Sequence, residues 1–110
     1  MKLFTALAAL TLIAAPAVDA MDYVKCEAMQ SAIERTAREA VIGSKRVYSE
    51  WLEADYLARC GVANPSSLSE LQCANAGDNE PGIKIAAVYK AQQINRLNKI
   101  KADYQAAGCY

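Results

Sequence analysis

Four cysteines and no histidine bound the chemistry open to this sequence. Cys26, Cys60, Cys73 and Cys109 are widely separated, and no Cys-x-x-Cys pair occurs, so neither a thioredoxin-like dithiol nor a zinc-ribbon ligand set is present. An even number of separated cysteines is instead the pattern of structural disulfides. The lack of histidine removes the commonest general base, the commonest metal ligand and every Ser/His or Cys/His nucleophile arrangement. Carboxylates remain, and a carboxylate-pair hydrolase would have to draw on Glu50, Glu53, Asp55, Asp78 or Glu80. Glu50 and Glu53 fall on the polar side of a helical pattern, where solvation accounts for them. Asp78-Asn79-Glu80 lacks the alternating acidic spacing and distal glutamate of a calcium loop and reads as helix capping. The expectation is a protein that is not an enzyme, with no catalytic residue, no metal site and no cofactor.

Disulfides need an oxidising compartment, and the first twenty residues have the features of an export signal. Lys2 supplies the basic start, Leu3 to Ala15 the apolar stretch, Pro16 a helix break, and Val18 and Ala20 the small residues that signal peptidase requires. The apolar stretch falls short of the roughly 18 residues a membrane-spanning helix needs. Residues 1–20 are therefore expected to be a cleavable signal peptide, cut before Met21 or, as a second choice, before Val18. Residues 21–110 then form a single domain in the periplasm or outside the cell. A domain this small gains little from its apolar core, so covalent closure is expected to contribute much of its stability.

The elements that must hold these cysteines are helical. From Asp22 to Cys60 there is no proline, and Cys26, Met29, Ile33, Ala37, Ala40, Val41, Ser44, Val47, Tyr48, Trp51 and Ala58 recur on one face at the period of an amphipathic helix. Gly43 marks a kink, and Gly61 a stop. Breaker residues then cluster at Asn64-Pro65-Ser66, Asn75-Ala76-Gly77 and Pro81-Gly82. Between the first two, Ser67 with Glu70 is a capping-box signature that predicts a short helix over 67–74, carrying Cys73. A second long helix is predicted over 83–107, with Ile83, Ala86, Ala87, Tyr89, Ile94, Leu97, Ile100 and Tyr104 on its buried face. Lys90 and Lys101 fall within that face, snorkelling to water.

Geometry selects among the three pairings of four cysteines. Cys26 and Cys60 would lie about 51 Å apart along one unbroken helix, far beyond the roughly 7 Å that a disulfide tolerates. Cys26–Cys73 with Cys60–Cys109 would require parallel long helices, whereas short connections favour antiparallel neighbours. Cys26–Cys109 and Cys60–Cys73 remain. The predicted fold is an all-α antiparallel two-helix hairpin with a short linker helix, stapled by a disulfide at each end. Its register sets Ile94 opposite Val41 and Ile83 near Trp51 and Leu52.

Function is less legible. Ile42, Tyr56, Leu57 and Ile85 project off the buried stripes and Tyr110 is terminal, so these five residues are candidates for a partner surface or a self-association seam. Lys84, Arg96 and Lys99 share an outward side of the second long helix and are candidates for anion contact. The overall charge is zero, although residues 83–110 carry five basic residues against Asp103 alone. No aromatic residues interleave with the basic ones, which argues against nucleic acid. The leading expectation is a small exported interaction module that binds a protein partner, as an inhibitor or an envelope accessory factor. The alternative is a lipid or membrane-surface binder using the basic side. A carboxylate-dependent enzyme comes third.

Overall fold

The computed structural model describes residues 20–109, so the expected leader up to Asp19, together with Tyr110, lies outside the described residues. Within that range the order is α1 (Ala20–Arg38), a π-helical segment (Glu39–Gly43), α2 (Ser44–Cys60), α3 (Leu68–Asn75) and α4 (Glu80–Ala106). The first three form one continuous rod. α4 returns antiparallel along its whole length, and α3 packs against α2 at the turn. Both bridges join as the spacing predicts: Cys26–Cys109 with Cα atoms 5.7 Å apart, and Cys60–Cys73 at 5.9 Å.

Local chemistry sets each boundary. Gly61 ends α2 at φ 80°, a left-handed conformation that suits glycine, and its N–H donates to the Leu57 carbonyl. Ser67 caps α3 by accepting from the Glu70 N–H at 3.2 Å, while Glu70 accepts in return from the Ser67 N–H at 3.1 Å. Glu70 also accepts from the Ser66 N–H, and these backbone donors hold its carboxyl below the ordinary range. α4 starts one turn earlier than the sequence pattern suggests. Pro81 occupies its first turn, where a missing N–H costs nothing, and Asp78 accepts from the Glu80 N–H at 3.0 Å.

The buried side of α4 also differs from the predicted stripe. Gly82, Ala86, Tyr89, Gln93, Leu97, Ile100 and Tyr104 face the first rod, with Gly82 and Gln93 buried and the others half-buried. Their spacing repeats every eleven residues, close enough to the helical period for the stripe to run straight along the rod. Ile83 and Ile94, predicted to be inside, are 52% and 39% exposed, and Lys90 and Lys101 are simply exposed. The cause is visible at Gly82, where a Cβ would overlap the Trp51 indole. The rods approach more closely there than an isoleucine allows, and α4 is rolled to present glycine.

Packing is thin as a result. Among the described residues only Thr36, Ala40, Gly43, Gly82, Gln93 and Cys109 are buried, and no large side chain is fully so. The hairpin is one layer of helices, whereas stable domains ordinarily pack two. Its two disulfides are the mark of an oxidising, extracellular-type environment. Among the described residues no helix is long and apolar enough to cross a membrane.

Candidate interaction surface

Besides the Ser67–Glu70 cap, two clusters of polar side chains brace the hairpin among the described residues. The first lies at the π segment. That wider turn brings Glu39 against α4, where Tyr89 donates its hydroxyl proton to Glu39 Oε2 and Arg46 donates to the same oxygen. Gly43 makes room, since a Cβ there would overlap the Glu39 carboxylate and lie 2.9 Å from the Tyr89 ring. The Arg46 hydrogen bond, and then that of Tyr89, hold the Glu39 carboxyl below its ordinary range. The bond to Glu39 and partial burial push the Tyr89 phenol up, and Glu39 raises the Arg46 guanidinium. A carboxylate satisfied by a guanidinium and a phenol is a poor base and no proton donor at neutral pH. Its role is to tie the π turn to α4.

The second gathering is at the turn. Arg59 donates to Asp55 Oδ2 through Nε at 3.0 Å and Nη2 at 2.8 Å, and reaches the Cys73 carbonyl through Nη1 at 3.1 Å. It thereby places positive charge at the C-terminal end of α3, where the helix dipole favours it. A side chain at Gly77 would occupy the space of that guanidinium. The polar cleft beside it, about 300 Å³ and lined in part by Tyr56, Asn75 and Asp78, offers no activated nucleophile. Asp55 is taken by Arg59, and the Asn79 amide donates to the Tyr48 hydroxyl at 3.0 Å. Among the described residues no group of three or more His, Cys, Asp or Glu side chains could hold a metal ion.

What remains is surface. Ile42 in the π segment, Leu57 near the end of α2 and Ile85 in α4 are 56%, 57% and 47% exposed. They stand at separate levels and do not form one patch. Tyr56 is half-buried beside the polar cleft. Lys84, Arg96 and Lys99 are all exposed on α4; Lys84 lies 4.0 Å from Glu80, and several turns separate it from the other two.

The sequence pattern misses a face that the structure assembles from residues it assigned to the interior. Val41, Ile83 and Ile94 are exposed along one side of the hairpin. A shallow groove of about 330 Å³ lies there between Tyr48, Ser44 and Lys45 on α2 and Ile83 and Ala86 on α4. A second groove, about 320 Å³, lies on the same side at the bridged end, lined by Tyr23, Gln30, Tyr104 and the Cys26–Cys109 bridge. The signal was Gly82 itself: a glycine just inside a helix, at the level of a tryptophan, marks a close crossing.

No protein-family model matches this sequence, and no curated protein and no solved structure shows significant similarity to it.

Proposed function

We propose that this protein is an exported, non-enzymatic interaction module: a rigid stapled hairpin that binds a protein partner in the periplasm or outside the cell, as an inhibitor or an envelope accessory factor. The observation that carries this reading is the distribution of apolar side chains. Eleven large ones are exposed among the described residues, while none is fully buried. Single exposed apolar residues are ordinary on a monomer, but a chain that fully buries no large side chain while locking its hairpin at both ends with disulfides is organised around its surface. The polar clusters support the same reading, because each is consumed in bracing the backbone.

Site-specific photocrosslinking tests it. A benzophenone side chain at position 42, 57 or 85 of the exported protein, irradiated in the producing cells, should yield a discrete adduct with one other protein. That adduct should be lost when the two bridges are removed. Crosslinks to lipid alone, with salt-sensitive sedimentation on anionic vesicles, would replace this reading with membrane-surface binding through Lys84, Arg96 and Lys99. Finding neither would refute both.

A further inference from the structure

We propose that the face bearing Val41, Ile83 and Ile94 is covered by a second copy of this chain, two hairpins packing into a four-helix bundle. The proposal rests on the interaction-module reading and names the occupant of one face.

The first argument is size. α4 has 27 residues, a rod of about 40 Å, and two rods side by side are about 20 Å across. One face of the hairpin therefore presents about 800 Å², the contribution of each partner to an interface of standard size. The second is layering: a single sheet of helices that leaves Val41, Ile83 and Ile94 exposed along one side has no second layer there for that stripe to pack against.

The third argument points to a second copy. The Cys26–Cys109 bridge at one end and the Trp51–Gly82 contact at the other fix which residues of the two rods share a level. Val41 and Ile94 are level near the middle. Glu34 and Lys101 are level towards the bridged end, and Tyr48 is level with the alanines at 86 and 87. On α1, Gln30, Glu34, Ala37 and Val41 follow one another at helical spacing on the side that lines the terminal groove. Ile83, Ala87, Lys90, Ile94 and Lys101 do so on α4. A half-turn about an axis parallel to the rods lays the first rod of each copy on α4 of the other, antiparallel and at the same level. Val41 then meets Ile94, Tyr48 packs over alanine and Glu34 pairs with Lys101, each contact occurring twice. Every helix is antiparallel to both neighbours, as in up-and-down bundles. Lys45 and Lys90 also share a level, so this arrangement brings like charges together at the rim.

Sedimentation equilibrium of the oxidised protein from low to high micromolar concentration decides the matter. We expect twice the mass of one chain. Ile94→Lys, at a position already exposed in the hairpin, should weaken association by roughly thirtyfold or more while leaving the circular dichroism unchanged. Ile42→Lys should have no effect. Lys90→Glu should tighten the dimer, Lys101→Glu should loosen it, and Glu34→Lys added to Lys101→Glu should restore it. A monomer at every concentration overturns the proposal, as does a dimer indifferent to Ile94→Lys or to the charge exchanges. If the monomer still forms the crosslinks from positions 42, 57 or 85, only the dimer fails. If the dimer forms and those crosslinks do not, only the heterologous partner fails.

Discussion

The Trp51 indole lies directly against the backbone of Gly82, in the space a Cβ would need. This contact closes the end of the hairpin remote from Cys26–Cys109 and sets the roll of α4. Gly82→Ala sets two effects against each other. Alanine is the better helix former by about 1 kcal/mol, but it forces the indole off the rod at a cost of about 1–3 kcal/mol. The clash should win. Urea denaturation followed by the fluorescence of the single tryptophan should show a net loss of about 1 kcal/mol, with a shifted emission maximum. An unchanged spectrum and midpoint would mean that the two rods do not meet at this position.

The Glu39–Tyr89–Arg46 cluster predicts a pH profile with two limbs. Glu39 titrates below its ordinary value of 4.5 in the folded protein, so its stabilising effect is complete above 4.5 and is lost as the pH falls through the depressed value. Tyr89 titrates above its ordinary value of 10.0, so its contribution is complete below 10.0 and is lost as the pH rises through the raised value. Thermal unfolding should therefore show a plateau across the intervening range. Glu39→Gln should flatten the acid limb, though not abolish it, because Glu70 is depressed in the same window. Tyr89→Phe should flatten the alkaline limb. Profiles of these variants that run parallel to the parent would show that the cluster is not formed in solution.

The Arg59 fork predicts a local effect. Arg59→Gln removes the charge and, being two atoms shorter, loses the fork to Asp55 and the reach to the last carbonyls of α3 while staying polar. Amide exchange in residues 68–75 should accelerate, with exchange in the middle of α4 unaffected. Ser67→Ala should act on the same helix from its other end and cost about 1 kcal/mol. Uniform acceleration throughout the chain would mean that α3 is not a separable unit.

The bridges should dominate global stability. On the chain-entropy account, replacing Cys26 and Cys109 by serine costs about 4–5 kcal/mol, and replacing Cys60 and Cys73 costs about 3 kcal/mol. With so little buried, removing both should leave a largely unfolded chain at ordinary temperature, as read by circular dichroism. Full helicity with both bridges reduced would place the source of stability elsewhere.

The features visible in the sequence were those set by local chemistry or by chain length. The pairing of Cys26 with Cys109 followed from the length of a helix, and the start of α3 from the Ser67–Glu70 capping box, one residue from where the helix begins. The antiparallel direction followed from the short connection. Features set by one rod pressing on another were not legible. Gly43 reads as a kink, but that the turn around it widens into a π segment depends on Glu39 finding Tyr89 across fifty positions of chain. Likewise, hydrophobic periodicity counts Ile83 and Ile94 as core and cannot credit Gly82 or Gln93. The inner stripe of α4 is chosen by closeness of approach, which rewards a missing side chain. The candidate face is hidden from periodicity for the same reason, since Val41, Ile83 and Ile94 fit the pattern of the interior.

The bridge between Cys26 and Cys109 spans 83 positions and ties the second turn of α1 to the residues just past α4. The polypeptide between them is topologically a loop. A protease that severs any one peptide bond inside it opens the loop without releasing a fragment, and tension applied across the two cysteines is borne by sulfur before it reaches the helices between them. For a molecule with so small an interior, that closure gives a tolerance of damage that packing alone could not supply.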